Sequence, residues 1–210
     1  MKRWLLLIIL VVLIPYRTGL YKYIWKNFAK NDTGTVYVGK VVDGDKTTLA
    51  EKRQLTKNDT ESAYVKKVID GDTIMLANRK KVRLIGIDTP ELYECDKLFR
   101  DARRSNIPPK KIQVMARESC LFTKLACEKK TVTLEFDLHR YDKYGRILAY
   151  VHLPDGKLLN QEIIEQGYGL AYLFFPFNQE YRKRFIQSEN DAKKHQRGLW
   201  GKYRYFRNLK

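Results

Sequence analysis

A chain of 210 residues is long enough for one domain with its own core plus terminal extensions. Its 41 lysines and arginines against 24 aspartates and glutamates leave a formal charge of +17, which favours a polyanionic partner over a merely solvated basic coat. Three cysteines in no Cys-x-x-Cys spacing rule out a complete disulfide framework and offer no zinc-ligand pattern; a bridge from Cys95 to Cys120 or Cys127 and three free thiols both stay open.

Met1-Lys2-Arg3 precedes an uncharged run from Trp4 to Ile14, the layout of a secretory leader and shorter than the ~20 residues of a spanning helix. No Ala-x-Ala cleavage site follows. Tyr21, Tyr23, Trp25 and Phe28 would suit a membrane interface, while Arg17, Lys22, Lys26 and Lys30 pull against export. Residues 1–29 are therefore read as a signal peptide or membrane anchor, giving an extracytoplasmic protein, secreted or attached to the membrane through that segment. Residues 30–63 read as a linker that carries a duplicated hairpin remnant. Lys30-Asn31-Asp32-Thr33 with Asp43-Gly44-Asp45 recurs as Lys57-Asn58-Asp59-Thr60 with Asp70-Gly71-Asp72. Two copies are too few for a solenoid. The first lacks a following apolar strand and has Lys46 where the second has Thr73, so the second copy is the functional one.

From Tyr64 the pattern is rich in strands. Tyr64 to Ile69 and Thr73 to Leu76 flank the Asp70-Gly71 turn, and Lys81 to Ile87 completes a meander. Pro90 ends it, and Leu92 to Asn106 is dense in charge and without a clear period. Pro108-Pro109 opens a helix whose Ile112, Met115, Ala116, Ser119, Phe122, Thr123 and Ala126 recur every three or four positions. Thr131 to Asp137 alternates as a half-buried strand and pairs with Arg146 to Val151. Leu158 to Gln166 and Asn178 to His195 are helices, each followed by glycine. The sum is an α+β fold over residues 64–204, a five-stranded Greek-key barrel flanked by three helices, with a basic tail over 205–210.

The chemistry lies in two adjacent strands: Val68-Ile69-Asp70-Gly71-Asp72-Thr73 and Arg83-Leu84-Ile85-Gly86-Ile87-Asp88-Thr89-Pro90-Glu91. Carboxylates hold a hard cation through oxygen, an arginine neutralises a phosphoryl oxygen, and a further carboxylate takes a proton from water. Cutting a phosphodiester needs all three. Asp70, beside Gly71, is most simply a turn residue. Acids held this close would repel one another unless a cation or arginine offset them. His139, His152 and His195 show no ligand spacing, so oxygen donors and a hard ion are favoured over zinc.

With Glu135-Phe136-Asp137 and Asp142-Lys143-Tyr144-Gly145-Arg146, these blocks make Tyr64 to about Trp200 resemble the staphylococcal nuclease (thermonuclease) family, on an OB-fold. The resemblance implies a hydrolase acting on DNA and RNA: a Ca²⁺-dependent endonuclease of low sequence specificity that leaves 3′-phosphate ends. It places Ca²⁺ on Asp72, Asp88 and the Thr89 carbonyl, catalysis on Arg83, Glu91 and Arg146, and substrate contacts on Lys143, Tyr144 and Tyr172. Glu91 would orient or deprotonate the attacking water. A second family tyrosine falls on Phe174 or Phe175, rings that stack on a base without donating a hydrogen bond. No obligate protein partner is implied. The rival readings are a non-catalytic OB-fold module that binds nucleic acid and a protein whose charge meets anionic lipid. The first has no need of Asp72, Arg83, Asp88, Glu91 and Arg146 together.

Overall fold

The computed structural model describes residues 59–203 and 206. The expected leader, the first copy of the repeat and the tail apart from Phe206 lie outside the described residues. Strand β1 (Thr60–Asp70) turns at Gly71 into β2 (Thr73–Leu76), which turns again into β3 (Lys81–Leu84), the meander expected from the alternation. One half of β1 pairs with β2 and the other with β5 (Thr131–Glu135), from Thr60 opposite Glu135 to Tyr64 opposite Thr131. Register shifts between Val65 and Lys67 and between Val68 and Asp70 bend the strand so that it can serve both partners. Strand β6 (Ile147–His152) runs antiparallel to β5 and parallel to β3, closing a five-stranded barrel in the order β1-β2-β3-β6-β5. This is the Greek-key barrel expected from the sequence, with β1 starting four residues earlier than Tyr64.

One expected strand is broken. Lys81 to Ile87 reads as one strand, yet the chain leaves the barrel at Ile85-Gly86, and Ile87–Asp88 forms a separate short strand, β4. Gly86 makes the break: its φ of +74° suits glycine, and a Cβ there would lie 2.8 Å from the rings of Phe177 and Phe185. Strand β4 pairs with β7 (Leu170–Ala171), with Asp88 opposite Leu170.

Five helices, where three were expected, stand among the described residues: α1 (Asp96–Ser105), α2 (Pro109–Cys127), α3 (Leu159–Glu165), α4 (Gln179–Lys194) and α5 (Leu199–Lys202). Helix α1 arises from the charge-dense segment. It has no side-chain cap, and of its buried residues Leu98, Asp101 and Ser105 only the first is apolar, so few apolar positions mark it in the sequence. The four residues of α5 are too few to show a period. Helix α4, by contrast, is capped by Asn178, whose side-chain oxygen accepts from the Glu180 and Tyr181 amides.

The barrel interior is filled by Val65, Ile74, Val82, Leu134, Ala149 and Val151, and Phe185 of α4 packs against it. A second cluster, with Leu98, Ile112, Met115, Leu199 and Trp200 at its centre, locks α1 onto α2 and the C-terminal helices. At ~1.5 to 3 kcal/mol per large apolar side chain, such burial fixes α1 despite its weak propensity. All three cysteines are free thiols. Among the described residues no helix is long and apolar enough to cross a membrane.

Candidate active site

Strand alternation fixes the first two groups. Val82 and Leu84 point into the barrel, so Arg83 between them stands on the outer face, directly opposite Thr73 on β2. Asp72 precedes Thr73 at the end of the tight turn. Gly71 is required there, since a Cβ would meet the Thr89 hydroxyl at 2.7 Å. Helix α2 fastens the same turn: the Thr123 hydroxyl donates to the Gly71 carbonyl at 2.7 Å.

Asp72 is 7% exposed and all but surrounded. Its Oδ2 accepts from the Thr89 amide and the Thr89 hydroxyl, each at 3.1 Å. Its Oδ1 lies 2.5 Å from Arg83 Nη1 and accepts from the Thr73 hydroxyl. Arg83 Nη2 donates to the Ile87 carbonyl at 3.1 Å and faces Asp88 Oδ1 at 3.6 Å. The guanidinium thus joins the barrel strand β3 to the excursion β4, and the two sequence motifs meet on one arginine. Asp70 accepts the Asp72 amide at 3.1 Å, the turn role expected of it.

A residue absent from the sequence reading completes the cluster. Lys97, in the first turn of α1, places its Nζ 3.3 Å from Asp88 Oδ2, 3.2 Å from Glu91 Oε1, 3.1 Å from Asp101 Oδ2 and 3.4 Å from the Thr89 carbonyl. Asp101 was likewise missed. The signal available was the Lys97, Asp101 spacing, a helical i,i+4 ion pair.

The local field follows from burial. Loss of water pushes the Asp88 carboxyl up to about 6, with Lys97 and Arg83 pulling against that and the Asp72 charge adding to it. Burial, followed by the charge of Asp72, also raises Asp70. Burial opposes the charge on Arg83, but the carboxylates around it, Asp72 foremost, hold its pKa above the ordinary value. The cluster holds more carboxylate than its two cations comfortably neutralise.

Arg146 is held apart from this cluster by its own partner. Its Nε pairs with Asp142 Oδ2 at 2.7 Å, and Asp142 also accepts the Arg146 and Tyr144 amides. The strand register still relates it to Arg83: Leu148 stands opposite Arg83 in the parallel β3/β6 pair, and Arg146 lies two residues before Leu148, with the same outward parity. Tyr144 on this loop is 72% exposed, with Lys143 Nζ 4.9 Å from its ring centre. The Tyr172 amide donates to the Gly86 carbonyl, next to β4, and its ring lies with Phe174 and Phe175 in an exposed aromatic patch. The structure therefore gathers Asp72, Arg83, Asp88, Thr89 and Glu91 at one place, with Arg146, Lys143, Tyr144 and Tyr172 on neighbouring loops. A separate surface cavity of about 210 Å³, lined in part by His152, Lys157 and Arg184, contains none of them.

Among the described residues no group of three or more acidic, histidine or cysteine side chains is arranged to hold a metal ion. The donor chemistry nonetheless fits a hard cation. Asp88, Glu91 and the Thr89 carbonyl present only oxygen, and they converge on a point that already carries a positive charge, the Lys97 ammonium.

The site is thus a cluster of acids around a guanidinium, on the outer face of a closed five-stranded barrel with flanking helices, where β2 and β3 meet. The chain matches the family described as Staphylococcal nuclease homologue over residues 81–202, more than half its length, and belongs to that family. It is 36% identical over 121 residues to the thermonuclease of Staphylococcus intermedius, a stretch covering 58% of this chain and 63% of that protein. With the thermonuclease of Staphylococcus hyicus it shares 34% identity over 122 residues, 58% of this chain and 63% of that one. An SPbeta prophage-derived endonuclease of Bacillus subtilis is 32% identical over 126 residues, 59% of this chain and 38% of its own length. The chain thus spans less than two thirds of the curated relatives it matches.

Proposed function

We propose that this protein is a Ca²⁺-dependent endonuclease that hydrolyses phosphodiester bonds of DNA and RNA with low sequence specificity and leaves 3′-phosphate ends. The observation that carries the reading is Arg83, whose two Nη atoms face Asp72 and Asp88, with Glu91 held to the same cluster through Lys97. Membership of the nuclease homologue family and the endonuclease names of relatives support the reaction class.

Asp72, Asp88 and the Thr89 carbonyl would hold the ion, which supplies positive charge against a phosphoryl oxygen. Arg83 and Arg146 present further charge from the outer faces of β3 and the loop before β6, where negative charge grows as phosphorus becomes five-coordinate. Glu91 is the most exposed acid of the cluster, its side chain 32% accessible, and so the one a water can reach. It takes a proton from that water as the oxygen bonds to phosphorus. The bond to the 5′ oxygen breaks, and that oxygen takes up a proton from solvent. Lys143 and Tyr144 contact backbone and sugar, and Tyr172 contacts the base or its phosphate. None of these contacts selects a sequence.

The test incubates the full chain with plasmid DNA and with RNA, with Ca²⁺ and with excess chelator. Cleavage of both substrates only with Ca²⁺ is expected, with ends that a polymerase extends only after phosphatase treatment. Glu91→Gln should lower turnover about 100-fold or more. Binding without cleavage would replace this reading with the non-catalytic module, and cleavage in chelator would remove the ion. We further propose an extracytoplasmic protein, secreted or membrane-anchored, on the strength of the basic residues and the apolar run within residues 1–29. Fractionation of expressing cells, with activity accessible to added protease, tests that placement.

A further inference from the structure

The cation position is contested from within the chain. Four oxygens from two segments, residues 88–91 and helix α1, converge on Lys97 Nζ at 3.1 to 3.4 Å: Asp88, Glu91, the Thr89 carbonyl and Asp101. An ammonium has three protons to donate, so these acceptors exceed its capacity and it is held from several sides. Two of the four, Asp88 and the Thr89 carbonyl, are oxygens that the proposed function gives to Ca²⁺, and Glu91 is its base.

We propose that Lys97 is a tethered counter-ion: with the metal away its ammonium occupies two of the groups that receive the ion, Asp88 and the Thr89 carbonyl, and metal binding requires it to withdraw. The inference rests on the Ca²⁺ reading above. Calcium takes oxygens at ~2.3 to 2.6 Å and prefers six or more of them. An ion bound to the Thr89 carbonyl and Asp88 would stand within a few ångströms of an ammonium that contacts the same two groups, and a divalent ion set beside a fixed ammonium meets direct repulsion.

Lys97 is the cation of the cluster that is built to move. Arg83 is pinned by Asp72, the Ile87 carbonyl and Asp88, with its side chain 17% exposed. The Lys97 side chain is 26% exposed and sits on a flexible four-carbon stem. Its backbone stays put, because the neighbouring Leu98 is fully buried in the cluster that locks α1. Exchange therefore needs rotation of one side chain and no refolding. Asp101, buried on the same helix, gives the ammonium a partner that lies outside the two sequence motifs. Lys97 is a positioning residue: it acts on the reaction through the ion and through Glu91.

Apparent affinity falls by the fraction of molecules whose site is open. If Lys97 is withdrawn about one tenth of the time, Ca²⁺ binds about tenfold more weakly than to a site without the ammonium. The test is a calcium titration by calorimetry at constant ionic strength, without nucleic acid, on the full chain. Lys97→Met, which keeps the stem and removes the charge, should bind Ca²⁺ about tenfold or more tightly than the wild type. Lys97→Arg, which keeps the charge, should stay near the wild-type affinity. Should Lys97→Met fail to fold because its acids lose their counter-ion, Lys97→Met with Asp101→Asn removes both partners of the buried pair and should show the same tightening. Equal affinities in wild type and the charge-free variants would overturn the tethered counter-ion while leaving a metal-dependent enzyme. Absence of calcium binding in every form would overturn both.

Discussion

Arg83 is a structural tie as well as a candidate catalytic group. It joins β3 to β4 by facing Asp72 and Asp88 together, from a side chain only 17% exposed. Arg83→Ala therefore leaves two shielded carboxylates short of a partner, and breaking such a pair costs about 3 kcal/mol or more. Arg83→Lys restores a charge without the planar fork. Chemical denaturation and cleavage assays should separate the two roles: the lysine variant recovers most of the stability, and neither variant cleaves appreciably. Stability data showing Arg83→Ala as firm as the wild type would remove the structural role. Glu128 offers a second residue-level test, on a carboxylate outside the acid cluster. Its carboxylate sits below the ordinary glutamate range, chiefly because it accepts the Val68 amide at 2.9 Å. A depressed carboxyl contributes stability above its unfolded pKa and loses it as pH falls through the folded value. Melting temperature followed from pH 7 down to acid should drop less steeply in Glu128→Gln than in the wild type. Motif residues such as Asp72 and Asp88 were legible from sequence because each motif is contiguous and dictates its own local geometry. Lys97 and Asp101 were not, because only the placement of α1 by distant apolar contacts brings them to the acids.

At the scale of elements, the decisive event is the exit of the chain from the barrel after Leu84. An apolar run from Val82 to Ile87 looks like one strand, since periodicity carries no mark of where a backbone turns aside. The mark is Gly86, with its positive φ and no room for a Cβ between Phe177 and Phe185. That turn sends Asp88 towards Arg83 and allows β4 to pair with β7, next to Tyr172. Gly86→Ala imposes left-handed strain on alanine and crowds two rings, together costing about 2 to 4 kcal/mol. Urea unfolding should show a lower midpoint with an unchanged slope, and cleavage should fall further than the loss of folded protein explains. If activity tracked the folded fraction alone, the turn would matter for stability and not for placing Asp88. The other boundaries were legible within a few residues wherever the sequence carried a local stop or start, as at Pro109 for α2 and Asn178 for α4.

Across the whole molecule, the proposed function would draw on the formal charge of +17 and the exposed aromatic rings as separable contributions to holding a nucleic acid. The charge was legible from composition. Which side chains share a face was not, because Lys143 and Tyr144 reach the neighbourhood of β3 only through the parallel β3/β6 pairing, across more than sixty residues of chain. Lysine contacts to phosphate release counterions, so affinity falls with salt by a slope of about 0.9 per contact on a log–log plot for duplex DNA. Stacking of a base on an aromatic ring releases none and leaves that slope alone. The Glu91→Gln protein, in chelator so that no cleavage intervenes, is the form in which to measure this. Titrations with a short fluorescent DNA at several salt concentrations should show a steep negative dependence. Adding Lys143→Gln should weaken binding and reduce the slope by about one contact. Adding Tyr172→Ala should weaken binding to single strands at every salt concentration with the slope unchanged. Should Tyr172→Ala leave single-strand affinity intact, the ring serves packing around Phe174 and Phe175 and the substrate is held by charge alone.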